Sequence, residues 1–307
     1  LVDELVPWVG AKTALTKVVG KESLRFRDAM GKKAKRKSVN FLSMMTNLLN
    51  PKEDKAEIEK GLVVLHLAGT IVDGTSRIAG SIVSGPAVKQ IRALTKDKEV
   101  QGVVVRINSP GGSATASEAI LLALEDLSKA KPVVFSMGSV AASGGYYVTC
   151  LGRPILAEVG TVTGSIGVFG MKPSVGALMR RVGVREEIVG LDSGADFMSL
   201  ENPWNEEHRA VMQSSVNEVY ARFTGHVSAS RKMPVAEVLK IAGGRVWSGE
   251  QAVKNNLVDK IGGLDMALAM VAKEAGIDDD FEITHLPQPA DMFGSLMSDM
   301  MGVKALL

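Results

Sequence analysis

The sequence predicts an α/β fold around a parallel sheet covered on both faces. Three observations point there. Val103-Val104-Val105-Arg106-Ile107 is a nearly continuous apolar run, the pattern of a strand buried on both sides. Such runs alternate with segments of helical spacing, which implies βαβ units with right-handed crossovers. Small-residue turns, Ser109-Pro110-Gly111-Gly112 and Ser143-Gly144-Gly145, follow the apolar runs. Composition agrees: 46% of the 307 residues are hydrophobic and 23% charged, which excludes a disordered chain. A lone cysteine excludes an intrachain disulfide framework. Aromatics make up only 5%, so the core is aliphatic, with 15 Met as adaptable filler.

Residues 1–60 read as a helical extension and a linker ending in Pro51-Lys52-Glu53-Asp54-Lys55. The compact domain is expected over 61–276. Leu62–Leu67 predicts its first strand. Val83–Leu94 predicts a helix from the spacing of Val83, Ala87, Val88, Ile91 and Leu94. Strand Val103–Ile107 ends at the proline-glycine turn. Helix Thr115–Lys129 carries Ile120, Leu121, Leu124 and Leu127 on one face. Strand Val133–Met137 leads to a second small-residue turn and a helix from about Ser143. Beyond the glycine-rich stretch Gly160–Gly170 come helix Ser174–Val182, strand Arg185–Val189 and a long helix from about Asn205 to Arg231. Short helices at Pro234–Ile241 and Gly249–Asn256 precede helix Leu264–Ala275. The tail, 277–307, spaces Phe293, Leu296, Met297, Met300 and Met301 as one face of an amphipathic helix, suited to its own domain or to a second subunit.

The net charge of +2 hides a basic segment: residues 11–37 hold ten Lys/Arg against Glu22 and Asp28. A solvated linker accounts for it, and an anionic membrane surface is the alternative partner. No aromatic residue interleaves Lys32–Lys37, so nucleic acid is not expected as a partner. The longest uncharged stretch, between Lys131 and Arg153, is long enough to span a bilayer. Ser136, Gly138, Ser139, Ser143, Gly144, Gly145, Thr149 and Gly152 break it into strand, loop and helix.

Two turns can carry chemistry. In Asn108-Ser109-Pro110-Gly111-Gly112-Ser113, paired glycines let backbone N–H groups face a ligand, as an oxyanion hole requires. In Gly138–Tyr147, Ser143 stands among small residues at a strand-to-helix junction. Helix-start N–H groups there favour developing negative charge. The logic is that of a nucleophile elbow without the Gly-x-Ser-x-Gly signature. A serine nucleophile needs a base. His66, His208, His226 and His285 stand in no motif, and a desolvated lysine is the other common base.

These residues resemble the signal peptide peptidase A/protease IV family, from about Val63 to Gly276. The matching motifs are Val104–Ser113, Lys131-Pro132-Val133, Ala141-Ala142-Ser143-Gly144-Gly145-Tyr146-Tyr147, Leu156-Ala157, Thr163-Gly164-Ser165-Ile166-Gly167-Val168 and Gly244-Arg245-Val246-Trp247-Ser248-Gly249. The resemblance implies the fold shared by crotonases and the caseinolytic protease, a repeated β-β-α superhelix. It also implies a serine endopeptidase with a Ser–Lys dyad and no metal or cofactor. By position Ser143 is the nucleophile. Gly144 N–H and a donor from Gly111 or Gly112 form the oxyanion hole, and Ser165 orients the general-base lysine.

The lysine itself is missing. The family places it in a Gly-x-x-Lys pattern after the strand matching Arg185–Val189. Here Leu191–Met198 puts Phe197 in that place, and Lys172 belongs to a different motif. The long form of the family fuses two homologous halves, with the lysine in the first and the serine in the second. Leu1 stands where a Met would begin a gene product, and Leu1-Val2-Asp3-Glu4-Leu5 echoes Leu257-Val258-Asp259-Lys260-Ile261. The expectation is therefore a second half, its partners being the N-terminal half of the same polypeptide, hydrophobic or signal-peptide substrates, and further copies in a homo-oligomer. Its place would be a membrane, periplasmic or organellar, with the anchor outside these residues. An inactive structural homologue and a crotonase-type acyl-CoA enzyme are the alternatives.

Overall fold

The computed structural model describes residues 60–188, 190, 194–277 and 281–287. The basic segment, the helical extension and the amphipathic tail at Phe293–Met301 lie outside them. Strand β1 (Gly61–Ala68) opens the domain, followed by the short β2 (Thr70–Val72) and β3 (Ser81–Val83). Helix α1 (Ser84–Lys96) leads to β4 (Val100–Ser109), α2 (Ala114–Ala130) and β5 (Val133–Ala142). Then come α3 (Gly144–Tyr147), β6 (Ile155–Ala157), β7 (Val162–Gly164) and α4 (Gly176–Arg181). The long α5 (Glu206–Arg231), α6 (Val235–Ile241), β8 (Val246–Ser248), α7 (Gly249–Lys254), β9 (Lys260–Ile261), α8 (Leu264–Ala275) and β10 (Glu282–Leu286) complete it.

The main sheet runs β10-β1-β4-β5-β6-β9, and every pair along it is parallel. This is the mostly parallel α/β architecture of the crotonase and caseinolytic-protease type. Period-2 alternation splits each central strand between two cores. Val63, Leu65, Val103, Val105, Val133 and Phe135 face one way, with Ile91, Leu94, Ile120 and Leu124 of α1 and α2. Leu62, Val64, Val104, Val134 and Leu156 face the other way, with Ala267, Leu268 and Val271 of α8. Burial on both faces explains the unbroken apolar runs.

β5 forks, and the fork positions the site. Its first half pairs with β6 at Phe135 and Ser136, and its last three residues pair with β7. β7 in turn pairs antiparallel with β8. Near the fork the register between β4 and β5 shifts, from Ile107↔Met137 to Ser109↔Ala141. Both small-residue turns thus leave adjacent strands at the same end of the sheet.

Three elements differ from expectation. The helix expected from about Ser143 is a single turn, α3, because glycines at its start and tight turns through Cys150 end it. Arg185–Ile188 is not a strand. Its residues are exposed and lack a ladder, and Glu186 N–H donates to the Glu201 carboxylate at 2.9 Å instead. Glu282–Leu286, placed in the tail by the sequence, forms the edge strand beside β1, with Leu286 buried.

Candidate active site

Ser143 stands where β5 turns into α3, with φ 52° and ψ −121°. A residue with a Cβ reaches this region at a cost of about 1–3 kcal/mol, and only if its surroundings hold it there. Three hydrogen bonds do so. Ser143 N–H donates to Gly164 O at 2.9 Å, while Ser143 O accepts from Tyr146 N–H at 2.9 Å and Tyr147 N–H at 2.8 Å. In a trans peptide the C=O and the next N–H point in opposite directions. With Ser143 O turned into the helix, Gly144 N–H points out of it. As the first helical N–H, it has no acceptor within the helix.

The proline-glycine turn packs directly on this elbow. A Cβ on Gly111 would lie 2.6 Å from Gly144 N and 2.8 Å from Ser143 Cβ, so only glycine fits, and its φ of +97° favours glycine as well. Gly111 N–H is taken by Ser109 Oγ at 3.1 Å. Gly112 N–H is engaged by no hydrogen bond among the described residues, and Gly112 is exposed. Of the two glycines offered by the sequence, the structure therefore leaves Gly112 as the open donor beside Gly144. Gly144 itself is closed in by Ser117, whose Oγ would stand 2.5 Å from an added Cβ.

Ser165 arrives on the paired strand. The β5–β7 ladder ends at Ala142↔Gly164, so Ser143 and Ser165 are the next residue on each side. Both hold positive φ, 52° and 48°. Ser165 N–H donates to Arg245 O at 2.7 Å, and Gly244 N–H donates to Ile166 O at 2.9 Å. The threonine-glycine-serine and glycine-arginine-valine-tryptophan motifs are thus one unit, with Trp247 packed where a Cβ on Gly164 would stand. No side-chain hydrogen bond of Ser143 or Ser165 is present among the described residues.

Among the described residues no lysine bonds to either serine. Lys172 donates to Phe197 O at 3.0 Å and lies 5.9 Å from the Trp204 ring. Phe197 packs against Trp204 and His208 with ring centroids 5.5 and 5.3 Å apart. The position resembling that of the base is therefore filled by an aromatic cluster. None of the four histidines bonds to either serine. His66 Nε2 lies 2.8 Å from His285 Nδ1, and burial, with His285 and Arg106 nearby, lowers the pKa of His66. His208 faces Asp196 at 3.4 Å, and His226 faces Glu118 at 3.3 Å.

Several supporting residues carry no sequence motif. Tyr147 hydroxyl donates to Glu118 and its ring packs tilted against Phe223, centroids 4.7 Å apart, while burial holds the phenol well above its usual pKa. Tyr146 hydroxyl donates to Leu257 O at 2.9 Å. Close by, Asp259 bridges Arg231, at 2.8 and 3.0 Å, and Ile155 N–H, at 2.7 Å. Burial would raise the Asp259 pKa, but those hydrogen bonds and the guanidinium charge outweigh it and hold it below the usual range. Past Ser165, a groove of about 720 Å³ is lined by Val168, Phe169, Trp204, Arg209, Met212 and Val216.

Among the described residues there is no group of three or more His, Cys, Asp or Glu that could hold a metal, and no helix long and apolar enough to cross a membrane.

Comparison with known proteins points the same way as the serine and glycine turns. Peptidase family S49 matches residues 125–278, and Clp protease matches residues 70–155. The chloroplastic serine protease SPPA of Arabidopsis thaliana is 32% identical over 80% of this chain and 38% of its own length. Protease 4 of Salmonella typhi is 36% identical over 80% of this chain and 40% of its own length. The chain thus spans well under half the length of these two relatives. A shorter protein of Synechocystis sp. is 34% identical over 66% of this chain and 74% of its own length. The S49 match contains both Ser143 and Ser165, and the Clp protease match contains both glycine turns; the chain belongs to peptidase family S49.

Proposed function

We propose that this chain carries the nucleophile of a serine endopeptidase acting on hydrophobic peptides such as cleaved signal peptides. One observation carries the reading. Ser143 is held in a strained elbow while Gly144 N–H and Gly112 N–H, from two different turns, stand unengaged beside it. In this mechanism a neutral lysine amine takes the Ser143 Oγ proton as Oγ attacks the peptide carbonyl carbon. The carbonyl oxygen gains negative charge facing the two N–H groups. Collapse breaks the C–N bond, the lysine returns the proton to the leaving amine, and water then hydrolyses the acyl-enzyme. Ser165, one residue beyond the bond that anchors Ser143, orients the lysine. No cofactor or metal is needed.

The lysine comes from outside the described residues, from the N-terminal half of the same polypeptide or a neighbouring copy. Exposed Phe169, Met171, Leu178, Val182 and Met198 support an assembly whose other parts cover them. The organisation proposed is the end of a preceding repeat and a connector over 1–60, the nucleophile domain over 61–276, and a tail over 277–307. Membrane association through an anchor outside these residues is part of the same proposal. The family match favours this over an acyl-CoA enzyme.

The test is Ser143→Ala in the full-length protein. Hydrolysis of an internally quenched apolar peptide should fall at least about 10³-fold, and a serine-directed peptidyl phosphonate should label wild type and not the variant. Equal hydrolysis by both proteins would refute the assignment.

A further inference from the structure

The segment Ile71–Asp73 lies outside the two turns, yet it grips the one that offers the oxyanion donor. Ile71 N–H donates to Gly111 O at 2.9 Å, and Ser113 N–H donates to Ile71 O at 2.8 Å. Gly112 bridges Ile71 so closely that a Cβ there would overlap the Ile71 carbonyl. Two residues on, the Asp73 carboxylate accepts from Ser113 Oγ, and from Thr115 Oγ1 at 2.9 Å. Ser113 is also the N-cap of α2, its Oγ accepting from Ala116 N–H at 3.2 Å.

These bonds determine a direction. Gly111 C=O and Gly112 N–H belong to one trans peptide and point opposite ways. Whatever holds Gly111 O therefore aims Gly112 N–H. Ile71 N–H holds it, and β2 is three residues long, paired with β3 and, among the described residues, meeting the turn's backbone through this bridge. Asp73 is the side chain that locks that short strand onto the turn, through two hydroxyls of the residues that follow Gly112.

We infer that Asp73 is a positioning residue for the oxyanion hole, acting through Ser113, Thr115 and Ile71 to orient Gly112 N–H. This rests on the peptidase reading and deepens it. An oxyanion donor must be aimed before charge develops, and losing one costs about 10²–10³ in kcat. Loosening one should cost less.

The experiment uses the full-length protein and compares Asp73→Ala, Asp73→Asn, Thr115→Val and Ser143→Ala. Each is assayed for kcat and KM on a quenched apolar peptide and for inhibition by a peptide boronate, whose tetrahedral adduct mimics the oxyanion. Asp73→Ala should lower kcat about tenfold with KM within about twofold, and weaken boronate inhibition in parallel. Asp73→Asn keeps one acceptor oxygen and should recover most of that loss. Thr115→Val removes one hydroxyl, spares the Ser113 cap and should show a smaller loss of the same kind. A merely structural role would lower thermal stability without this split.

A folded Asp73→Ala with wild-type kcat, or one in which only KM rises, overturns the inference. If Asp73→Ala does not fold, an unchanged kcat in Thr115→Val overturns it. An inactive Ser143→Ala beside a wild-type-like Asp73→Ala removes this inference and leaves the peptidase reading standing. Equal activity in wild type and Ser143→Ala removes both.

Discussion

Two stretches flank Ser165 and differ in almost every physical respect. The turns at 109–113 and 141–150 are backbone-bonded and hold glycines that fit only one way, with Gly111 and Gly144 buried and Gly112 open. Among its described residues, the stretch from Val168 to Leu200 is largely exposed, with Phe169 at 87%, Met171 at 80% and Met198 at 71% of full exposure. The first stretch holds a serine in a conformation it would not choose. The second supplies no strand at Arg185–Ile188; its lysine, Lys172, is turned to Phe197 O, and Glu186, Ser199 and Glu201 bond to one another. Among the described residues, the strained elbow proposed to carry the nucleophile is complete, and no lysine is bonded to it.

The contrast is sharpest at Gly111. Gly111→Ala forces a Cβ to within 2.6 Å of a backbone nitrogen, at a φ of +97°. Neither the elbow nor the strand behind it can yield cheaply. Unfolding free energy should fall by about 2–4 kcal/mol, and peptide hydrolysis by the full-length protein at least about 10²-fold. Denaturant titration and steady-state kinetics measure the two. Wild-type kinetics in this variant would mean that the turn does not border the reacting carbonyl.

Next in size is the support beneath the elbow. Asp259→Ala leaves the buried Arg231 guanidinium and Ile155 N–H without their carboxylate, at a cost of about 2–3 kcal/mol. The pH dependence has a definite sign. Because the folded pKa of Asp259 is depressed, its stabilisation is fully present above the ordinary carboxylate pKa. It is lost as pH falls through the depressed value. The gap between wild type and Asp259→Ala in urea titrations should be constant between about pH 6 and 8 and close in strong acid. A gap that widens in acid would contradict the pairing.

The same neighbourhood hides the chain's one cysteine. Burial pushes the Cys150 thiol up to about 12, and the thiolate is the reactive form. Alkylation by iodoacetamide at pH 8 should therefore proceed only through unfolding, and its rate should rise with urea as the unfolded fraction does. Fast labelling of native protein would show that the region beneath the elbow opens far more readily than its packing implies.

What could be read beforehand follows the same division. The turns that bring Ser143, Gly144, Gly111, Gly112 and Ser165 together were legible because their constraints are local: a turn after an apolar run, and small residues where nothing larger fits. Helix Leu264–Ala275 was legible to the residue, since one apolar stripe and a following Gly276 in the left-handed conformation define its ends. That Gly111 N–H is engaged and Gly112 N–H is open was not legible, because it depends on Ser109 Oγ reaching forward two residues. Nor was Asp73, forty residues before its partners. β10 was missed because its alternation, Glu282-Ile283-Thr284-His285-Leu286, is that of an edge strand and stands after the last strong helix. Arg185–Val189 was expected as a strand, and nothing local revealed that the Glu201 carboxylate would take the Glu186 N–H.

The smallest expected effect tests the other side of the comparison. Phe169→Ser removes a large apolar side chain, an act that costs about 3 kcal/mol or more in a core. Here the ring is 87% exposed, so the unfolding free energy of this chain should change by less than about 0.5 kcal/mol. A loss above about 1.5 kcal/mol would show that the stretch after Ser165 packs within this chain. The contrast would then narrow to the lysine. A negligible loss in the isolated chain, with reduced peptide hydrolysis by the full-length protein, would place Phe169 against whatever completes the site. The same side chain that contributes nothing to this fold would then contribute to the assembly that brings a base to Ser143.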